Sequence, residues 1–380
     1  TNIHRGEGWQ ETFSTLEEYV LAVKEEVSPD SSYAIGLRLG ERAARELCDP
    51  LEGQLDLFRC WLEQHDCYVF TINGFPYGNF HGERVKEQVY LPDWTSVDRL
   101  EYTKCLFDII AELVPDGISG SVSTLPGSFK EFITDEMGQG AAIIDNLANC
   151  CQHIQNLSDK TGKDLHLGLE PEPLGWFETS EETVAFFDGF RQCHGDRFDH
   201  VLGVNYDTCH LAVEYETPSD AIGNLLDAGI RLSKLHLSSA LKLVPDAESL
   251  RALGQFQEDV YLHQVVARHE DGSLTRFRDL PDALDASVAQ KAAVADEWRV
   301  HFHIPLYSEP AGGLSDTRDH IEGVLDMIKD DPEICSHLEM ETYTWEVLPE
   351  ELQCGNVVEQ LGHEYEWVLK QLSERGLVST

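Results

Sequence analysis

The chain has 380 residues and carries 28 Lys plus Arg against 69 Asp plus Glu, a formal net charge of −41. Such a field repels phosphate backbones and anionic lipid surfaces, which disfavours a nucleic-acid or membrane-surface role before any motif is read. Disorder is disfavoured as well, because 42% of residues are apolar, 9% are aromatic, and the acids are spread along the chain as a solvated surface.

The length is compatible with two domains or with one barrel of alternating strands and helices. No run of about 18 uncharged apolar residues is present, and the opening Thr1-Asn2-Ile3-His4-Arg5-Gly6-Glu7 does not read as a signal peptide. Ten cysteines are scattered without a CxxC pair, with Cys150 and Cys151 adjacent on an expected helix. They read as a reduced thiol set, which points to the cytoplasm rather than to a disulfide framework or a zinc finger.

In chain order, Thr1–His4 is the stump of a first strand. Tyr33–Leu39 is the second, followed by helical Glu41–Cys48 and Leu51–Gln64. Cys67–Asn73, Ile118–Thr124, Leu165–Glu170, Val201–Asp207, Leu232–Leu237 and Leu338–Tyr343 continue the series. Between them run amphipathic helices over Val97–Leu113, Gly138–Asp159, Glu181–Cys193 and Asp220–Asp227. Eight units in strict alternation predict a closed parallel α/β barrel, a (β/α)8 or TIM barrel, over an open sheet. The whole chain, 1–380, is expected as one domain. Its surplus over the roughly 250 residues of such a barrel is expected in long loops, chiefly an insertion after strand 7 over residues 239–297. That insertion contains a probable-turn sequence, Glu270-Asp271-Gly272, between Tyr261–Arg268 and Leu274–Arg278, which predicts a β-hairpin. A ninth strand-like run, Arg299–Ile304, follows it.

Function in such barrels gathers at the carboxyl ends of the strands. Those ends hold His4, Asn73, Glu170, Asp207 with His210, His236 and Glu341. A charge at a buried strand position is costly unless paired or bound to metal, so His, Asp and Glu at the ends of four successive strands predict a metal cage. Pro171 stops the strand at Glu170, with Glu172 as the alternative of the same parity. Asp207-x-x-His210 places a carboxylate at a strand end and an imidazole on the next turn. His236 is mid-strand between outward leucines, a position more often held by a hydrogen-bonded core histidine, and its neighbours set it apart. Glu339 and Glu341 share a face by period two, and Glu341 lies nearer the carboxyl end. His301 and His303 also share a face, as further ligands or as substrate contacts. A mixed N/O set suits a divalent ion, Zn, Mn, Co or Fe, without choosing between them. The loop Asn73-Gly74-Phe75-Pro76-Tyr77-Gly78-Asn79-Phe80-His81-Gly82, with Lys86 and Pro92-Asp93-Trp94 beyond it, suits a lid over a polyol or small aromatic-bearing substrate. His210, His301, His303, His4, Asn73, His81, Lys86 and Trp176 form the set of expected substrate contacts. Serine-hydrolase, P-loop and dinucleotide fingerprints are absent from the sequence.

Glu170, Asp207-x-x-His210, His236 and Glu341 resemble the metal set of the xylose isomerase-like TIM barrels, a superfamily of sugar isomerases, ketose 3-epimerases and endonuclease IV. More narrowly, Thr1-Asn2-Ile3-His4, Asn73-Gly74-Phe75-Pro76-Tyr77-Gly78, Val85-Lys86-Glu87-Gln88-Val89-Tyr90-Leu91-Pro92-Asp93-Trp94, Asn205-Tyr206-Asp207-Thr208-Cys209-His210-Leu211 and Glu341-Thr342-Tyr343-Thr344-Trp345 resemble the EboE family of metabolite traffic proteins of bacterial secondary metabolism. The resemblance runs over nearly the whole chain. It implies a metal-binding barrel encoded in a cluster that moves metabolite precursors toward the periplasm. The epimerase branch implies Glu170 and Glu341 as ligands that also move protons, Asp207 and His236 as ligands, and His210 as a substrate contact. The sequence departs from that branch at Leu237-Ser238-Ser239-Ala240, where an acid or an arginine for the substrate is expected. Endonuclease IV implies more histidines for three zinc ions, with His81, His301 and His303 as candidates, and the charge of −41 opposes DNA. The function expected is therefore a metal-dependent isomerase or epimerase of a small hydroxy-carbonyl compound, with a metabolite carrier as the alternative. The partners expected are that small molecule, a membrane protein of the same gene cluster and a second copy of the chain, with no nucleic acid and no membrane insertion.

Overall fold

The computed structural model describes residues 1–378 apart from Asn79, Glu83 and 289–294. Asn79 of the glycine-rich loop and residues 289–294 of the expected insertion therefore lie outside the described residues. Seven parallel strands form the central sheet in the order β1-β2-β3-β4-β5-β6-β12. They are β1 (Tyr33–Arg38), β2 (Cys67–Asn73), β3 (Gly120–Thr124), β4 (Leu165–Leu169), β5 (Leu202–Asp207), β6 (Arg231–Leu237) and, last in the chain, β12 (Leu338–Met340). The sheet curls into a nearly closed barrel of the TIM type.

Period-two alternation decides which side chains face which way. Leu165, Leu167 and Leu169 of β4, and Leu235 and Leu237 of β6, join the main apolar core with the helices outside the barrel. The intervening positions point into the lumen and are polar or small. Lys234 Nζ on β6 reaches Ser123 Oγ on β3 at 2.9 Å, although these strands are not neighbours in the sheet, so the contact crosses the barrel interior. His166 Nδ1 meets Ser233 Oγ at 2.6 Å, and His337 Nδ1 meets Ser121 Oγ at 2.8 Å. The outer layer is built from α3 (Glu41–Cys48), α4 (Gln54–Gln64), α5 (Val97–Leu113), α6 (Glu136–Thr161), α7 (Ser180–His194), α9 (Pro218–Asp227), α12 (Arg318–Asp330) and α13 (Val357–Glu374), with α1 (Trp9–Thr15), α2 (Leu21–Val27) and the short α8 (Thr208–Val213). All ten cysteines are free thiols, and no helix among the described residues is long and apolar enough to cross a membrane.

The expected first strand is a correction. Thr1–His4 forms a turn, because the His4 amide folds back onto the Thr1 carbonyl at 3.2 Å instead of entering a ladder. The segment is still tied beside β1: the Thr1 amino group donates to Gly36 O at 2.6 Å and Thr1 Oγ1 accepts from Arg38 N at 2.7 Å. Among the described residues the barrel therefore has seven strands where eight were expected.

Between β6 and α12 the chain builds a second, antiparallel sheet in the order β11-β7-β10-β8-β9. Its strands are β7 (Leu241–Leu243), β8 (Val265–His269), β9 (Leu274–Phe277), β10 (Ala295–Val300) and β11 (Leu314–Asp316), interspersed with α10 (Ala247–Leu253) and α11 (Leu280–Val288). The β8–β9 hairpin turns at Gly272, whose φ of 82° lies in the left-handed region that glycine adopts without strain. This sheet has its own core around Trp298, Val300, Phe302 and Leu243. The strand-like run expected over Arg299–Ile304 stops at Val300, and His301 to Ile304 continue as irregular chain.

The closest backbone approach in the barrel wall is at Gly203, where a Cβ would fall inside the van der Waals envelope of the Arg231 carbonyl oxygen. Gly203→Ala is expected to cost about 1–3 kcal/mol through overpacking, read as a lower urea midpoint. Gly223→Ala, on α9 where a Cβ meets nothing within 4 Å, is expected to raise the midpoint, because alanine is the better helix former.

Candidate functional site

Four strand ends deliver the central cluster. Glu170 follows β4 and keeps one further ladder bond, its amide donating to Thr124 O at 2.9 Å. Asp207 closes β5, His236 sits within β6, and Glu341 follows β12 with its amide on Leu237 O at 3.1 Å. One ligand atom from each of these four buried residues lies within 4.8 Å of the other three. His236 Nδ1 is the hub: it is 3.0 Å from Glu170 Oε1, 3.6 Å from Asp207 Oδ2 and 2.9 Å from Glu341 Oε2.

Three of the four side chains are held from behind. Asp207 Oδ1 is spent as the N-cap of α8, accepting from Cys209 N at 2.7 Å and His210 N at 3.0 Å, and from Ser238 Oγ at 2.6 Å. Glu341 Oε1 accepts from Asn2 Nδ2 at 2.6 Å and Asn73 Nδ2 at 3.2 Å. His236 Nε2 lies 3.3 Å from Glu339 Oε2, which in turn pairs with Lys234 Nζ at 2.8 Å. This carboxylate behind the imidazole fixes its ring, as the outer partners of metal-binding histidines do. So Glu339 and Glu341 share a face, and only Glu341 belongs to the cluster.

The electrostatics follow from burial. Three carboxyls face one nitrogen that can offer one proton, so two buried charges lack compensation, at a cost of several kcal/mol per ion. In the metal-free chain, protons supply it. Burial, and then Glu170, push the Glu341 carboxyl up to about 8. His236 is raised well above its ordinary value, burial being outweighed by Glu341 and Glu170. Glu170 falls below the usual carboxylate range, because His236 and His210 outweigh burial. Asp207 falls well below it against burial, under His210, His303 and His236. Glu170 Oε2 and Asp207 Oδ2 are buried without a hydrogen-bond partner. Unpartnered carboxylate oxygens in an N/O set of this composition fit a divalent cation.

A cavity of about 610 Å³ opens over the cluster. Of the expected contacts, Asn73, Lys86, His210 and His301 line it with Glu170 and Glu341. The His210 ring lies 4.5 Å from that of His301 and 5.5 Å from that of His303. His303 Nδ1 faces Glu341 O at 2.9 Å, and its Nε2, like that of His301, has no partner. Burial pushes His301 well below its ordinary value and His303 down to about 4, so both are neutral. Lys86 is held by Asp279 rather than by the cavity, at 2.7 Å. His81 has both ring nitrogens engaged, at 2.6 Å from Tyr261 Oη and 2.6 Å from Asn2 O. His4 stacks on Tyr19 at 4.8 Å and Trp176 packs on Phe186 at 5.7 Å; the structure brings neither into the cavity lining.

Sequence reading missed Asn2, Tyr90, Gln264 and Tyr343 in the lining. It weighed Glu172 only as a substitute for Glu170, whereas both line the cavity. Gln264 and Tyr261 come from the second sheet's approach, and no pattern in the sequence ties that segment to the barrel mouth.

Glu341, and the buried Glu364 held up to about 8 by burial, bind their protons more tightly folded than unfolded. Each therefore makes stability fall as pH rises from the ordinary carboxyl range to about 8, and His236 adds in the same sense above about 6.5. Histidines depressed by burial, such as His303 and His320 at about 4, act oppositely, but only below about 6.5. Metal-free protein is thus expected to lose stability between about pH 7 and 8.5 in thermal melts. Zn²⁺ or Mn²⁺ is expected to raise the melting temperature over that range by binding the folded state alone. A flat profile with no response to metal contradicts the cluster assignment.

No protein-family model and no curated protein matches the chain. Among solved structures, the chain is similar to a xylose isomerase domain protein from Planctomyces limnophilus, with a TM-score of 0.51 and 11% identity over 94% of this chain and 93% of that one. A D-tagatose 3-epimerase-like protein aligns with a TM-score of 0.49 and 12% identity over 94% and 96%. The probable 3-DHS dehydratase AsbF from Bacillus anthracis aligns with 0.49 and 11% over 92% of each chain. At these identities the likeness is one of fold, a barrel of the TIM type shared with the xylose isomerase domain protein.

Proposed function

We propose that this protein is a divalent-metal-dependent isomerase or epimerase that acts on a small hydroxy-carbonyl metabolite by proton transfer at carbon. The observation that carries the reading is the meeting of Glu170 and Glu341, from two different strands, on one edge of His236 at 3.0 and 2.9 Å, under a cavity. The shared fold with a xylose isomerase domain protein supports it.

Glu170, Asp207, His236 and Glu341 would hold the cation, which when bound supplies Lewis acidity to adjacent substrate oxygens. The chain's own part is proton transfer and positioning. One of the two glutamates would take the proton from carbon and the other would deliver a proton, to the neighbouring carbon in an isomerisation or to the opposite face of the same carbon in an epimerisation, the division of labour that paired carboxyls with different environments support. Asn2 and Asn73 hold Glu341 in place through Oε1, leaving Oε2 toward the reacting centre. His210, with His301, supplies contacts for substrate hydroxyls. The apolar roof of the cavity excludes water from the transfer.

The likeness of the Asn73–Gly78, Val85–Trp94 and Asn205–Leu211 phrases to the EboE family favours a second reading. In it the barrel carries a metabolite and hands it to a membrane protein of the same cluster. Phosphodiester hydrolysis is the weakest reading, because both His81 nitrogens are already bonded and the net charge of −41 repels DNA.

Metal analysis followed by incubation with candidate ketoses in D₂O separates the readings. The enzyme is expected to bind metal and wash deuterium into the substrate, and Glu341→Gln to lower that exchange by about 10²–10⁴-fold while the circular dichroism stays unchanged. Full exchange in Glu341→Gln contradicts the assignment of the base, and a co-purifying metabolite with no exchange supports the carrier.

A further inference from the structure

We propose that the ligand of this cavity is uncharged and two-ended: a compact hydroxy-carbonyl head seated on the cluster, joined to an apolar ring or chain that fills the outer half. The inference rests on the metal-centre reading above and adds to it the chemical class of the molecule.

The first observation is the division of the lining. Carboxyl and imidazole groups are gathered around His236, whereas Phe75, Phe80, Val85, Val89 and Leu262 supply a continuous apolar side. The aromatic part is tightly built: Phe80 packs against Tyr261 at 5.1 Å and Tyr343 at 5.2 Å between ring centroids. Asn2 Oδ1, Glu170 Oε2, Glu172 Oε1, the Tyr90 hydroxyl and His301 Nε2 are buried in the lining without a partner, and they lie on the cluster side rather than among the apolar residues. A polyol alone, with a hydroxyl on every carbon, would leave most of its hydrogen bonds unmet against that apolar side, at about 1–3 kcal/mol for each group buried unpaired.

The second observation is charge. Lys86 is the one cation in the described lining, and its ammonium is committed to Asp279 Oδ2 at 2.7 Å and Glu258 O at 3.2 Å. The neighbouring Arg38 is turned away as well. Its guanidinium lies 5.8 Å from the Phe80 ring centre and donates to Gly78 O at 2.6 Å and Gly6 O at 3.3 Å. The serines after His236 are also spent, Ser238 Oγ on Asp207 at 2.6 Å and Ser239 Oγ on the Thr317 amide at 3.2 Å. A phosphate or carboxylate on the outer part of the ligand would meet no free cation among the described lining residues, and burying an unpaired charge costs several kcal/mol.

Three hydroxamates share a head with adjacent carbonyl and hydroxyl oxygens and differ only in the tail. Calorimetric titration of the Zn²⁺-loaded full chain with acetohydroxamate, benzohydroxamate and phosphonoacetohydroxamate reads the tail preference without any turnover. Benzohydroxamate is expected to bind about tenfold or more tighter than acetohydroxamate, the effect of burying one ring face, and phosphonoacetohydroxamate more weakly than either. Phe80→Ala is expected to weaken benzohydroxamate more than acetohydroxamate, so that the ratio of their affinities falls to about one. Equal binding of acetohydroxamate and benzohydroxamate, an advantage that survives Phe80→Ala, or tightest binding of the phosphonate overturns the inference while the metal centre stands. Failure of all three to bind overturns the metal centre and the inference with it.

Discussion

Three carboxylates and one imidazole, brought within reach of one another and cut off from water, set the terms for the rest of this molecule. Like charges at such range repel strongly in a medium of low dielectric, so nothing in Glu170, Asp207 or Glu341 holds the group together. The backbone does, because each residue ends or follows a strand of one continuous parallel ladder. The barrel is the device that makes an unfavourable cluster affordable, by spreading its cost over the packing of seven strands.

The same economy runs down the lumen. Instead of the branched apolar layers that usually fill such barrels, the interior carries Lys234 on Ser123 and Glu339, His166 on Ser233 and His337 on Ser121. Lys234 and Glu339 neutralise one another and, through Glu339, aim His236. The polar column is thus continuous with the cluster above it. A buried network of this kind is stable only when its members are satisfied together, which ties the geometry of the site to the integrity of the barrel floor.

Much of this was legible in the residues. Leu165-His166-Leu167-Gly168-Leu169-Glu170 alternates apolar and polar positions in step with a strand's two faces, and that period places Glu170 inside the barrel. The D-x-x-H of Asp207 and His210 works because the first residue is both the end of a strand and the cap of the next helix, and both roles leave marks in sequence. What was not legible depends on tertiary approach. Thr1–His4 looks extended, yet its amide closes a turn. The fate of Lys86 is decided by Asp279, 193 residues away, and a local pattern carries no trace of it. Trp176 and His4 are aromatic or basic residues near strand ends whose side chains find apolar or stacking partners first.

The segment Tyr261 to Gln264, which contributes to the cavity lining, leads into a sheet with its own apolar core, and polar groups fasten it to the loop after β2 beside the ring contact of Phe80 with Tyr261. Val85 and Lys86 amides donate to Val260 O at 2.8 and 2.9 Å, Lys86 pairs with Asp279, and His81 meets Tyr261. Undoing such a seam would forfeit those hydrogen bonds, each with a net worth of about 0.5–1.5 kcal/mol, together with the packing of Phe80 on Tyr261 and of Leu262 in the main core. Contacts of that sum are a sizeable share of the roughly 5–15 kcal/mol that hold a folded domain together, and they join residues far in sequence from those of the cluster beneath them.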